Sequence, residues 1–337
     1  MGVDLGSVLK REEISLDHLT SYMVAIDAYN TLYQFLSIIR QRDGTPLMDS
    51  EGRITSHLSG IIYRMSNLLE RGVKPIFVFD GAPPMLKRKT LDKRKATREE
   101  ALKKYGEAKE RGEEAFKYAQ ASARINSDIV EDSEELLGYL GIPCVYAPSE
   151  GEAQAAFMVS KGDADFVASQ DYDSMLFGAK RLVRNLTISG KRKLPRKNVY
   201  LNVMPEEIRL EEVLEELGID REQLIGVGIL TGTDYNGGIK GIGPKKALKL
   251  IKKHGTIEKV LTSINERIEE LDEVKEIFLN PNVTGDYEIR WGKPNEEKVI
   301  EFLCEEHGFS EMRVKKALEK VSVSTEKKRQ KTLEGWF

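Results

Sequence analysis

The chain has 337 residues, 40% hydrophobic and 32% charged, with a formal net charge of −3. That is enough apolar material for one large core or two smaller ones, and the near-neutral total does not by itself announce a polyanionic partner. The two cysteines, Cys144 and Cys304, are far apart and outside any ligand spacing. They argue against a disulfide framework or structural zinc and for a reduced, intracellular setting. No secretory signal opens the chain and no apolar run approaches a membrane span.

The opening MGVDLGSVL is short and small-residued. MVAID (23–27) is an apolar run that ends in Asp27, and AYNTLYQFLSIIRQ (28–41) follows it with amphipathic helical spacing. Phe35 belongs to the core face of that helix. RDGTPLMDSEGR is turn-rich, and residues 54–72 read as a second helix; Arg40, His57 and Arg64 read at this point as surface or packing residues. PIFVFD (75–80) is another buried run, ending in Asp80, and GAPP then breaks regular structure.

From Lys87 to Lys104 the basic positions are 87, 88, 89, 93, 94, 95, 98, 103 and 104, against acids at 92, 99 and 100. Such a stretch buries no core of its own. It reads either as a solvated, charge-laced helix pair or as a basic arm able to grip a single-stranded phosphate backbone. Helical spacing returns over 113–141. PCVYAP (143–148) and DFVASQ (165–170) then read as strands of a parallel sheet, each followed by an acidic pair, Glu150/Glu152 and Asp171/Asp173, with a helix after Glu152.

RLVRNL (181–186) is a further strand, and the basic SGKRKLPRKNVYLNV reads as a hairpin or loop leading into a strand. REQLIGVGILTGTDY delivers Asp234 from a helix. In GIKGIGPKKALKLIKKHG (238–255), Gly241 and Gly243 precede a helix that starts with Lys245 and Lys246. Glycines there let backbone N–H groups approach a phosphate at a helix N-terminus. The pattern resembles a helix–hairpin–helix, which holds duplex backbone without reading sequence. Helical runs over 258–278 and 296–321 lead to SVSTEKKRQKTLEGWF, a flexible basic tail whose Leu333, Trp336 and Phe337 are anchors for a partner.

Seven carboxylates share one address: Asp27, Asp80, Glu150, Glu152, Asp171, Asp173 and Asp234. In an open α/β sheet, reactive groups gather beyond the carboxyl ends of the strands. Helix capping would account for any one of these acids, but seven like charges need compensation. Oxygen-only ligands favour Mg²⁺ or Mn²⁺ over Zn²⁺.

Taken in order, MGVDLG, AIDAYNTLYQFL, RITSHLSG, VFDGAPP, APSEGEAQAA, SQDYDSMLFG, GTDYN and KGIGPKKA resemble the structure-specific 5′ nucleases, and among them the archaeal and eukaryotic flap endonucleases. The resemblance spans nearly the whole chain. It implies an α/β fold, a mostly parallel twisted sheet flanked by helices, with a helical arch at about 81–130 and a helix–hairpin–helix at about 222–256. Residues 1–321 would form the nuclease and 322–337 a tail. The implied activity is two-metal-ion hydrolysis of branched DNA with a 5′ flap, in replication and repair, by a monomer working inside the cell.

By the same resemblance the seven acids hold two Mg²⁺ ions, with Asp171 a candidate bridge, and Lys87 and Arg94 are the arch's catalytic cations. Tyr33 stacks near the scissile nucleotide, Arg40 and Arg64 lie near DNA, and Gly241, Gly243, Lys245 and Lys246 hold duplex, with K⁺ at the same element. Gln330, Leu333, Trp336 and Phe337 look like the box that binds a ring-shaped sliding clamp. Ala82 departs from the family, where a charged residue is expected. Other readings are a relative acting mainly as a duplex 5′ exonuclease or on bubbles, a clamp-recruited DNA-binding scaffold with purely structural acids, and a phosphatase.

Overall fold

In the computed structural model, residues 2–41, 43–110, 116–193 and 200–321 are described. Strands β1 (Glu12–Glu13), β2 (Met23–Asp27), β3 (Lys74–Phe79), β4 (Cys144–Tyr146), β5 (Phe166–Ala168), β6 (Arg181–Arg184) and β9 (Glu206–Arg209) form one seven-stranded sheet in the order β1-β9-β6-β5-β2-β3-β4. β7 (Gly190–Lys193) and β8 (Tyr200–Val203) make a separate two-stranded antiparallel ribbon, where the sequence suggests a basic hairpin or a loop leading into a strand.

The five strands from β6 to β4 run parallel, and β9 and β1 close one edge antiparallel. The central strands are apolar because both faces are covered. Their side chains alternate between two cores. Ala25, Ile76, Val78, Val167 and Leu182 point to one core, together with the helices Gly151–Lys161 and Arg221–Thr231. Val24, Ile26, Phe77, Phe79, Phe166 and Val183 point to the other, with the helices Ala28–Ile38 and Ser127–Tyr139 and the C-terminal residues Phe302, Val314 and Leu318.

The helix after β2 spans Ala28–Ile38, as its periodicity requires. The second expected helix forms over residues 56–70, with a π-helical turn at Ile61–Met65. The basic stretch after GAPP forms one long helix, Arg88–Glu110, followed by Phe116–Ala121. The helical run expected over 258–278 divides in two, Ile257–Ile264 and Leu271–Leu279. Asn265 and Glu270 between them adopt left-handed backbone, which stops propagation.

The ends of β3 and β4 are drawn tightly together. Gly81 N–H donates to the Ser149 carbonyl at 2.7 Å, and a Cβ at Gly81 would stand 2.2 Å from the Ala147 carbonyl oxygen. Gly81→Ala should therefore force these two strand ends apart and cost about 1–3 kcal/mol, the usual penalty for overpacking. Urea unfolding measures it. An unchanged midpoint would mean that the strand ends separate freely.

Candidate active site

Parallel register carries the acids to one end of the sheet. Asp27 is the last residue of β2, Asp80 follows β3, Glu150 follows β4 and Asp171 follows β5. Glu152 lies in the first turn of the helix Gly151–Lys161, and Asp173 begins the short helix Asp173–Leu176. Asp234 comes just after the helix Arg221–Thr231. Asp27, Glu150, Asp173 and Asp234 are buried.

Several acids are fixed by backbone N–H groups. Asp27 accepts from Asn30 N–H at 3.0 Å and so caps the first helix. Asp80 accepts from Gly151 N–H at 2.6 Å, fixing the start of the next layer's helix to the end of β3. Asp173 accepts from Val3 N–H at 2.7 Å, and a Cβ on Gly2 would lie 2.4 Å from the Asp173 carboxylate. The glycine at position 2 is what lets the N-terminal strand of backbone come so close. Nothing in the spacing of MGVDLG signals its contact with Asp173, 170 positions away.

Burial and then mutual repulsion act on the whole set. Burial, and then Asp80, push Asp27 up to about 8, and burial with Asp234 and Asp171 pushes Asp173 to about 7. Glu152 is raised well above the usual carboxylate range by burial and by Asp173, Asp27 and Asp171. Burial also raises Asp80 and Glu150.

Two cations from the segment after Asp80, Lys87 and Arg94, reach the acids. Lys87 Nζ bonds Glu150 and lies 3.6 Å from Asp234, while an Arg94 guanidinium nitrogen lies 2.5 Å from the other Asp234 oxygen. Burial alone would lower the Lys87 pKa; the charge and hydrogen bond of Glu150, with Asp234 and Asp80, raise it instead.

The donor chemistry fits a hard divalent cation. Glu152 Oε1 is enclosed and has no hydrogen-bond partner, an orphaned acceptor in a crowd of carboxylates. As the side chains stand, no three His, Cys, Asp or Glu among the described residues close on a single ion position. Lys87 and Arg94 sit among the acids and serve as their counter-ions.

Tyr33, on the first helix one turn beyond Asn30, is 39% exposed and presents its ring to solvent. Arg40 and Arg64 face inward: Arg40 donates to the carbonyls of Leu36 at 2.7 Å and Gly44 at 2.9 Å, and Arg64 to Ser189 at 3.2 Å. Burial lowers the pKa of both. In this structure they brace backbone.

The helix Pro244–His254 follows Gly241–Gly243 and packs on Arg221–Thr231 through Ala247 and Ile251. Gly241 has φ of 79°, a left-handed backbone that suits glycine, and Gly241, Gly243, Lys245 and Lys246 are exposed. Gln330, Leu333, Trp336 and Phe337 lie outside the described residues.

The raised carboxyls make a stability prediction with a definite sign. A group whose folded pKa exceeds its unfolded value leaves stability intact below the unfolded value and erodes it as pH rises through the folded one. For Asp27 the window runs from the ordinary 3.8 to about 8. In chelator, the thermal midpoint should fall between about pH 5 and about pH 9, Asp27→Asn should flatten the fall, and Mg²⁺ should restore the midpoint most at the alkaline end. A wild-type midpoint that rises across this range would contradict the arrangement.

Two family models match, the XPG N-terminal domain over residues 1–101 and the XPG I-region over residues 141–234. Flap endonuclease 1 of Methanocella arvoryzae is 58% identical over 340 residues, covering 100% of both chains. The protein of the same name from Thermococcus onnurineus is 58% identical, covering 100% of this chain and 99% of that one. Among solved structures, flap endonuclease-1 from Methanococcus jannaschii superimposes with a TM-score of 0.77 at 44% identity, covering 97% of this chain and 100% of its own. The catalytic core of Rad2 in complex with DNA substrate superimposes with a TM-score of 0.70 at 25% identity, covering 94% and 97%. The chain belongs to the flap endonuclease family of XPG-type nucleases.

Proposed function

We infer that this protein is a metal-dependent DNA nuclease that cuts branched DNA at a single-stranded 5′ flap, in replication and repair. The observation that carries the reading is the buried carboxylate cluster at the strand ends with Lys87 and Arg94 drawn into it. The group held by Asp27, Asp80, Glu150, Glu152, Asp171, Asp173 and Asp234 would be two Mg²⁺ ions, replaceable by Mn²⁺, supplying water activation and charge neutralisation at the leaving oxygen.

The chain's own groups supply the rest. Lys87 and Arg94 exchange their carboxylate partners for the scissile phosphate and stabilise charge that develops there. The exposed ring of Tyr33 offers a face to the neighbouring base. The arch helix Arg88–Glu110 receives the single strand through its basic residues.

Duplex is held further away. The helix Pro244–His254 begins at a glycine cap without a side-chain hydrogen bond, so its first N–H groups and Lys245 and Lys246 can meet a phosphate. Its preceding carbonyls offer a place for K⁺, although Lys246 Nζ lies 3.4 Å from the Gly241 carbonyl in this structure. Arg40 and Arg64 would reach DNA only by releasing the carbonyls they now hold. The tail recruits the monomeric enzyme to a sliding clamp through Gln330, Leu333, Trp336 and Phe337, a helix-in-groove contact. DNA as substrate sets the protein's work inside the cell, and no helix among the described residues is long and apolar enough to cross a membrane.

Labelled flap, nicked and hairpin DNAs with and without Mg²⁺ test the activity. Asp171→Asn should nearly abolish flap cleavage while flap binding stays measurable, and Lys87→Ala should lower the single-turnover rate at saturating enzyme about 10²–10³-fold. Normal turnover by Asp171→Asn would refute the metal assignment. A normal Lys87→Ala rate at saturation would reduce Lys87 to a binding contact.

The tail is separable from the chemistry. Trp336→Ala combined with Phe337→Ala should abolish calorimetric binding to the cognate clamp and leave clamp-free cleavage near normal. Retained clamp affinity would put the docking site elsewhere.

A further inference from the structure

Asn30 stands between two of the carboxylates and touches both of their segments. Its backbone N–H is the one that Asp27 Oδ1 accepts, at 3.0 Å. Its side-chain Nδ2 donates to Asp171 Oδ2 at 3.1 Å, across 141 residues of sequence. The amide orientation is fixed by its neighbours. The Gln170 backbone N–H, which can only donate, lies 3.3 Å from Asn30 Oδ1, so the NH₂ end must face Asp171.

A second layer holds Asn30 in turn. Gln34 Nε2 donates to Asn30 Oδ1 at 3.4 Å, and the buried Thr187 hydroxyl donates to Gln34 Oε1 at 2.7 Å. The Ser169 hydroxyl links the same two acids from the other side, accepting from Asp171 N–H at 3.2 Å and lying 3.5 Å from Asp27 Oδ2. The space open to a water-sized sphere among Asn30, Gln34, Ser169, Gln170 and Thr187 is only about 10 Å³, no more than a single water requires, so the amide has scant room to swing.

The chemistry of the donor matters. Lys87 and Arg94 neutralise the acids they touch and so compete with a bound cation. Asn30 is neutral: it orients the Asp171 carboxylate through one oxygen and leaves its negative charge for a metal.

We propose that Asn30 is a positioning residue for the metal centre: it locks the Asp171 carboxylate in register with Asp27, and Gln34 and Thr187 hold it in that pose. The inference rests on the metal reading of the seven acids. Metal ligands lose about 10–100-fold in affinity when such outer hydrogen bonds are removed.

The test is Mn²⁺ binding to the full chain without DNA, followed by electron paramagnetic resonance, with thermal midpoints in chelator measured alongside. Asn30→Leu, similar in size and without hydrogen bonds, should bind Mn²⁺ about tenfold more weakly. In single-turnover cleavage its half-saturating Mg²⁺ should rise by a similar factor, with the plateau rate less affected. Thr187→Val lies outside the ligand set and should weaken Mn²⁺ binding in the same direction by a smaller factor; it decides the matter alone if Asn30→Leu does not fold. Wild-type Mn²⁺ affinity in the folded variants, whatever their midpoints, overturns the role of Asn30 and leaves the metal centre standing. Wild-type Mn²⁺ binding that Asp171→Asn leaves unchanged overturns the metal reading itself, and this inference with it.

Discussion

Mutual repulsion among carboxylates is the constraint that the rest of the molecule accommodates. Asp27, Asp80, Glu150, Glu152 and Asp173 all rise above the ordinary range, each first through burial and then through another acid of the set. Such a cluster persists only because the sheet over-determines it. Two apolar cores, one on each face, hold the parallel strands in register. The strands then have no freedom to spread their ends. Backbone N–H groups of Asn30, Gly151 and Val3 each take one carboxylate oxygen. The same bonds begin helices and seat the N-terminus, so fold and site share their anchors.

The arch supplies the opposite sign. A net charge of −3 hides a strong segregation, with the acids inside and a basic helix, Arg88–Glu110, standing over them. That helix buries little, Ala101 and Ala108 being its fully buried apolar residues among those described. It leans on the body through contacts such as Tyr105 with Thr45 at 3.3 Å, while Gln120 beyond it donates to the Ser37 carbonyl at 3.0 Å. An element so lightly packed is the kind that opens locally at low cost.

The strand-end acids were legible because the apolar runs are nearly continuous, as strands covered on both faces require, and a carboxylate stands at or just beyond the end of each. The edge was not. β9 and β1 are built from Glu206, Glu207, Arg209, Glu12 and Glu13, which carry no strand-like apolar pattern. They form strands because Arg181 and Arg209 satisfy the buried Glu207 at 2.9 and 2.8 Å, a contact made only after folding. The π-helical turn at Ile61–Met65 keeps an apolar pattern that spacing alone assigns to an ordinary helix. Asn30 was invisible for a related reason: an asparagine in a first helical turn is commonplace, and its meaning comes from Asp171, far along the chain. Arg40 and Arg64 show the converse, residues picked out by resemblance whose present partners are backbone carbonyls.

The hydrogen bond from Val3 to Asp173 spans 170 positions, and the acid set reaches on to Asp234. Nothing local assembles this site. During synthesis the N-terminal backbone must wait, unpaired at that contact, until most of the chain has left the ribosome. A ribosome-bound chain of about 173 to 234 residues therefore carries every strand-end acid of the parallel sheet but lacks Asp234. The set of seven acids is thus complete only late in translation.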